Sequence, residues 1–554
     1  MLKTIQQWWS GSWLVHILEG LALGLVAAWH GCWLGRFLAQ PWDDSAPQFL
    51  ASGVQRFWQG LASGRQRLAR RLQSWLSTSY FLGRWPEWLA SDLAWVWHGS
   101  FLRRFLGQRD GETVGKKELA DTPDAPPLCR LLLYVVLVGL LLAAALMLPQ
   151  GMTLLKWAGL GVVLALVWAR PNASVGGVAF LLPVLPILST TIIILVAFGA
   201  RLCREEPFFP RGSWVRTLGG LFCLVGLAAA LASAHALAAL RFWRYYLAAY
   251  LFLILLMDTL RTQQAIDQVV SWGLLGASFV AILSIWQYIG GVPTNLSWVD
   301  IRVSAVTTRV VGTFDNPNML AGYLVAWLPF PVSWFLAKES SSRRRLVSFL
   351  AAGLLGLSLI LTFSRGGWLA FAAALFIIVA CQEPRLFWAV PVLLLAAPFV
   401  LPPVIWQRLA SIVNLEDTSN MVRRYVWDSS AKMFFANWLL GIGQGLVPFA
   451  RVYPVYQFGV VPALHAHSLI LQLAVESGVI SLLLFLWICI ALWRLAMRNW
   501  QAAPKWTVPL GAALAGHLVH GIFDHTWYDL RVMLVFWLLV ALATAVARQL
   551  GEAK

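Results

Sequence analysis

The chain has 554 residues, 59% of them hydrophobic and only 12% charged, and its mean hydropathy is +0.69. No soluble globular composition reaches that balance, so a soluble enzyme is excluded and a polytopic membrane protein is indicated. The net charge of +17 would suit a nucleic-acid binder, but the basic residues stand in short loops between apolar runs, where they orient helices and touch anionic headgroups; no nucleic-acid partner is expected.

Residues 1–128 differ from the rest. One weak apolar run near 17–40 is followed by Trp-rich and Arg-rich amphipathic text such as "SGRQRLARRLQSWL", ending in the polar "DGETVGKKELADTPDAPP". That pattern predicts helices lying on an anionic membrane face and then a linker. A solvated regulatory extension fits nearly as well. The opening "MLKTIQQWWSGSWLVHILEG" lacks a compact apolar core with a small-residue cleavage site, so no removed signal peptide is expected.

From 129 to 554 the text is a transmembrane domain. Apolar runs fall near 129–149, 151–169, 176–199, 214–237, 244–262, 266–290, 318–338, 345–363, 366–383, 385–403, 467–495, 505–523 and 531–548. Lipid leaves backbone groups to satisfy themselves, and a helix of about 20 apolar residues does so across the bilayer. The fold class expected is all-α: a polytopic membrane helix bundle of about 12 transmembrane helices. One large exoplasmic helical loop, 404–466, separates the helices near 385–403 and 467–495. The 32 Trp suit the headgroup boundary. The six Cys are scattered without a CxxC pair, which indicates neither a disulfide framework nor a zinc site.

The basic loops "AKESSSRRRL" and "WRLAMRNWQAAPKW" predict cytoplasmic ends. Threading from them puts Asn318, Arg365, the stretch 404–466 and Asp524 on the outer face. A cytoplasmic start before 128 then leaves the parity off by one segment between 170 and 240.

Four polar groupings interrupt the apolar text, all predicted on that face. In "TRVVGTFDNPNMLAGYL", Gly312, Asn316, Pro317 and Asn318 form a turn that starts a helix, with Arg309 just before it. In "LTFSRGGWLAF", Arg365 stands between two apolar helices, and Gly366 and Gly367 leave room for something to approach the backbone. In "SNMVRRYVWDSSAKMF", Ser419, Arg423 and Trp427 recur every four residues and line one face of a helix; "GIGQG" follows as a flexible turn. In "PALHAHSLILQLAVESG", His465 and His467 head a helix that carries Gln472 and Glu476 on one face. Charged groups inside a membrane are costly and tend to face a bundle interior or a site. Each grouping taken alone has a plain structural explanation: a capped loop, a snorkelling arginine, an amphipathic surface helix, a core histidine.

Convergence gives them another meaning. Arginines at one outer face would hold a phosphate or pyrophosphate bidentately. A histidine beside them can take a hydroxyl proton near neutral pH. The chemistry indicated is displacement at a sugar carbon whose leaving group is a lipid pyrophosphate. No Asp-x-Asp occurs and outer-loop carboxylates are few, so neither a metal clamp nor any other cofactor is expected.

"RVVGTFDNPNMLAGYL", "FSRGGWLAF", "SNMVRRYVWDSSAKM", "GIGQG" and "HAHSLILQLAVESG" occur in an order and spacing that resembles the O-antigen ligase/Wzy polymerase superfamily over roughly residues 130–545. The resemblance implies a metal-independent helical glycosyltransferase in the bacterial inner (plasma) membrane, with its active site facing the periplasm. Such an enzyme works in lipopolysaccharide or exopolysaccharide biosynthesis, moving a glycan from undecaprenyl pyrophosphate to a glycan, lipid or protein acceptor. Carried over by motif position, Arg365 and Arg423 bind the donor pyrophosphate, and His467 is the base or positions the acceptor. His465, Asn318 and Glu476 support them, and Arg309, placed on the same face by the threading, is a further substrate-binding candidate. Within the superfamily, "YPVYQFGVVPALHAHSLILQLAVESG" and the Trp-rich opening are most similar to the branch named for inorganic-carbon (bicarbonate) transport. Retention of His465 and His467 favours catalysis, whereas Ser468 replaces the Asn often found after the histidine in ligases. Bicarbonate transport and repeat-unit polymerisation stand as the alternatives.

Overall fold

The computed structural model describes residues 171–202, 214–292, 308–338, 340–412, 418–458, 461–498 and 500–552, with 163, 164 and 167. The region 1–128 and the apolar run 129–149, with nearly all of 151–169, lie outside the described residues. Among the described residues the chain is helical without a strand. Nine helices there are long and apolar enough to cross a membrane.

The first described pair is α1 (Pro171–Leu181) and α2 (Ile187–Leu202), joined by a turn at 182–186. Sequence periodicity reads 176–199 as one span. Pro183 and Pro186 break it, because proline lacks the amide that would continue the helix and clashes with the preceding turn. This reversal falls where the sequence threading was one segment out of parity.

Three long spans follow: α3 (Trp214–Ala232), α4 (Ala236–Thr259) and α5 (Gln263–Ile289). The Thr262 side chain caps α5 by accepting from the Ala265 amide. Arg201 pairs with Asp258 where α2 and α4 end, and both are nearly fully buried. The next span is α6 (Pro317–Trp327) continued by α7 (Pro329–Leu336). Asn316 caps α6, accepting from the Asn318 amide, with Pro317 in the first turn. Proline there costs nothing, since that amide has no partner in a helix anyway.

Helices α8 (Ser342–Leu361) and α9 (Arg365–Gln382) make a hairpin. Gly367 explains how closely α9 can approach α6: a Cβ there would lie 2.7 Å from that of Ala321. A Cβ at Gly366 would lie 3.4 Å from the His520 ring. The close approach expected at these two glycines is therefore made by neighbouring helices.

Beyond α9 come a 3-10 turn (Pro384–Trp388) and α10 (Ala389–Val400), then α11 (Pro403–Ala410). Seventeen residues from 384 to 400 rise about 28 Å, close to the thickness of a hydrocarbon core. Arg365 at the head of α9 donates to Ser411 just after α11. The chain therefore returns through this segment to the end of the bundle where α9 began.

The segment between α11 and α14 is built from α12 (Thr418–Ala436) and α13 (Leu446–Tyr456) around a core of Val426, Met433, Phe449 and Tyr453. It leads into α14 (Leu469–Arg498), α15 (Pro504–Phe523), a 3-10 turn (Thr526–Tyr528) and α16 (Leu530–Glu552). α14 is interrupted at Gly478 (φ 73°, ψ −176°). The opened turn accepts a neighbour: Ile442 and Gly443 donate to the carbonyls of Val475 and Glu476, and Val479 donates to that of Trp438. "GIGQG", expected as a flexible turn, is instead tied into the bundle. A Cβ at 478 would lie 2.0 Å from the Leu439 carbonyl oxygen, so only glycine fits.

Beneath the site, Trp527 is fully buried among the rings of Phe222, Tyr246, Phe485 and Phe536. Its Nε1 donates to His517 Nε2 at 3.1 Å, so the polar edge of the ring is satisfied as well as the apolar face. Removing such a ring typically costs about 3–5 kcal/mol. Trp527 thereby fixes the α15–α16 turn, and with it Asp524 and His525.

Candidate functional site

The site lies at the bundle end where α8, α13 and α15 stop and α6, α9, α14 and α16 start. Residues 362–364 join α8 to α9, and their carbonyls collect arginines. Arg309 Nε donates to Thr362 O at 2.9 Å, and Arg408 Nε to Phe363 O at 3.2 Å. The last carbonyls of a helix are the negative end of its dipole and a natural seat for cations. Ser364 then caps α9, accepting from the Gly367 amide. Arg365, only 6% exposed, donates Nη1 to both the carbonyl and the hydroxyl of Ser411 at 3.1 Å.

Asn318 joins this corner to α15. Its Nδ2 donates to Asp524 Oδ2 at 2.6 Å, and its Oδ1 accepts from Arg309 Nη2 at 3.2 Å. The other carboxylate oxygen, Oδ1, faces His467 Nδ1 at 3.8 Å. His467 has φ 47° and Phe363 has φ 50°, the two non-glycine residues with positive φ among the described residues. Strain of this kind collects at functional sites; here one instance is the predicted base and the other stands two residues before Arg365. The His467 carbonyl accepts from Trp427 Nε1 at 3.3 Å, which ties the α12 face carrying Ser419, Arg423 and Trp427 to the histidine turn. His465 lies against His467 with ring centroids 4.2 Å apart and near Tyr528 at 5.4 Å.

The electrostatics follow from this crowding. Burial, with the guanidiniums of Arg408, Arg423 and Arg365 acting against Asp524, brings Arg309 down to about 9, still cationic at neutral pH. Burial pushes the Asp524 carboxyl up, but His467, His465 and Arg423 pull harder in the other direction and hold it well below the usual carboxylate range. Burial and the neighbouring His467 bring His465 down to about 3, so it is neutral at physiological pH. His465, His467 and Asp524 bring possible ligand atoms within 4.8 Å of one another. The surrounding guanidiniums oppose a cation there and favour an anion.

Of the residues expected at the site, the structure brings together Arg309, Asn318, Arg365, Arg423, His465 and His467. Glu476 sits deeper. It is fully buried in α14, and its carboxylate accepts from Gln472, Gly445 and Tyr246. Two participants were not singled out as site residues. Arg408 stands five residues beyond the apolar run 385–403, and Asp524 follows the apolar run 505–523; the sequence signal for both is that the threading puts them on the same face as Arg365 and the histidines.

Residues 350–486 match the family model described as O-antigen ligase. This segment of the chain is similar to the O-antigen ligase family. The matched segment runs from within α8 to past the middle of α14, and contains Arg365, Arg408, Arg423, His465 and His467. Arg309, Asn318 and Asp524 come from outside it, so the ligase-family segment is completed by the turns before α6 and after α15. A comparison with curated proteins finds no significant match.

Proposed function

We propose that the chain is a glycosyltransferase of the bacterial inner membrane that moves a glycan from undecaprenyl pyrophosphate to an acceptor on the periplasmic side, without a metal. One observation carries the reading: Arg309, Arg365, Arg408 and Arg423 converge on the corner where His467 faces Asp524. The opposite end of the bundle carries Arg261, Lys338, Arg343, Arg344, Arg345 and Lys505. Short connections crowded with Lys and Arg, such as "AKESSSRRRL", mark a cytoplasmic end, which supports a site facing the periplasm.

In this reading the acceptor hydroxyl approaches His467. With Nδ1 turned to Asp524, Nε2 takes the hydroxyl proton while the oxygen attacks the anomeric carbon. The bond from that carbon to the pyrophosphate oxygen breaks, and the charge that develops on the leaving group is held by the guanidiniums. Asp524 steadies the imidazolium, and Asn318 steadies Asp524. Arginine forks fit phosphate oxygens and so do the work that a divalent ion does elsewhere.

The test is transfer of glycan from an undecaprenyl-pyrophosphate donor by the purified protein in lipid, with chelator present, for the wild type and His467→Ala. Product formed by the wild type alone supports the reading, and joining of donor glycans to one another would make the acceptor that of a polymerase. No donor consumption with any acceptor, together with bicarbonate flux in the same liposomes, would overturn it in favour of a transporter.

A further inference from the structure

Gln472 and Glu476 lie one turn apart on α14, both fully buried, and neither carries chemistry at the arginine corner. Their hydrogen bonds form a chain. The Ala466 amide donates to Gln472 Oε1 at 2.6 Å, and Gln472 Nε2 donates to Glu476 Oε1 at 2.8 Å. The same carboxylate oxygen accepts from the Gly445 amide at 2.8 Å, and Oε2 accepts from the Tyr246 hydroxyl at 3.3 Å.

The two ends of this chain matter functionally. One end, Ala466, is completely buried and lies between His465 and His467, immediately before the left-handed φ of His467. A buried amide without an acceptor is costly, and a non-glycine residue in the left-handed region is strained. Something must therefore hold this turn. The other end, Gly445, begins α13 and closes the segment 441–445, whose Gln444 reaches the Gly226 carbonyl at 2.7 Å and the Ser477 hydroxyl at 2.8 Å. Ser233 fixes the same segment through the Ile442 carbonyl at 2.5 Å. That segment follows α12, the helix that carries Arg423 and Trp427. An apolar pair at 472 and 476 could fill the space equally well, but it would tie nothing to the histidine turn.

We propose that Gln472 and Glu476 are positioning residues that lock the His465–His467 turn to the 441–445 segment, so that His467 and Arg423 meet the same reacting centre. For its kinetic consequence the inference rests on the glycosyl-transfer reading. Its structural consequence does not, and the experiment separates the two.

The experiment compares the full-length wild type, Gln472→Met and Glu476→Gln in lipid nanodiscs, by amide hydrogen exchange of peptides covering 462–468 and 441–446 and by transfer kinetics. In Gln472→Met the exchange of 462–468 is expected to rise about tenfold, the worth of one buried hydrogen bond. kcat is expected to fall about 10²-fold with the donor KM unchanged, as for a misplaced catalytic group. Glu476→Gln keeps an acceptor for both Gln472 and Gly445 and should retain most of kcat. Unchanged exchange in Gln472→Met overturns the proposal, and so does a loosened turn with wild-type kcat. If the wild type transfers no glycan while Gln472→Met still loosens 462–468, the brace stands and the glycosyl-transfer reading falls. If Gln472→Met does not fold, Gln472→Glu, which keeps the acceptor for Ala466 but sets two carboxyls side by side, must loosen 441–446 for the proposal to survive.

Discussion

His467 Nδ1 and Asp524 Oδ1 face each other at 3.8 Å across the entrance of α14 and the exit of α15. Asp524→Asn keeps the shape and removes the charge that supports an imidazolium. It is expected to lower kcat by about 10²-fold or more, with little change in donor KM, and His467→Ala should abolish turnover while sparing donor binding. Steady-state transfer kinetics with a donor-binding assay check both; wild-type turnover in His467→Ala would remove it from the role of base.

Arg408 is held by the Phe363 carbonyl in the 362–364 turn, and Arg365, just after that turn, by the carbonyl and hydroxyl of Ser411. Each guanidinium lost should weaken donor binding by about 1.5–3 kcal/mol, or roughly 10- to 150-fold in KM. Lysine at these positions should restore little, because it lacks the fork. A full KM series for Arg365→Ala, Arg408→Ala, Arg408→Lys and Arg423→Ala tests this.

Acid should destabilise this end of the bundle. Burial and neighbouring histidines bring His465 down from an ordinary 6.5 to about 3, and His525 well below 6.5. Between about 3 and 6.5 the unfolded chain then binds more protons at these positions than the folded one, so stability rises with pH in that window. Asp524, depressed in the same corner, adds a loss as pH falls below 3.8. Melting temperature should therefore drop as pH falls from 7 to 4, with a shallower slope in His465→Gln; parallel slopes would place the sensitive groups elsewhere.

Gly478→Ala should be among the most damaging small substitutions in the chain. The new methyl would meet the Leu439 carbonyl at 2.0 Å while the backbone keeps φ 73°. Overpacking and left-handed strain together imply a loss of at least about 2 kcal/mol. Thermal unfolding in lipid measures it, and a wild-type midpoint would mean that α14 tolerates closing its break.

The helices were legible because apolar length is a strong local signal, and the arginine and histidine motifs because charge is conspicuous inside apolar text. The turn at 182–186 was hidden inside an unbroken apolar run, where only Pro183 and Pro186 mark it. Arg408 and Asp524 look like ordinary boundary residues until α11 is folded against α9 and Asn318 is brought to α15; their meaning lies in contacts between segments far apart in the chain. Glu476 was conspicuous for the same reason as the histidines, yet its partners are Gly445 and Tyr246, which no local pattern reveals. The glycines of "GIGQG" signalled flexibility, whereas the structure uses the absence of side chains to dock the segment against α14.

The carboxylate that faces His467 belongs to the last helical hairpin, and the arginines precede it in the chain by about a hundred residues or more. A ribosome delivers the chain from its amino end, and domains build up in that order. Arg309, Arg365, Arg408, Arg423 and His467 are therefore synthesised before Asp524. On the glycosyl-transfer reading proposed above, the carboxylate that orients the imidazole is thus the last part of the site to be made.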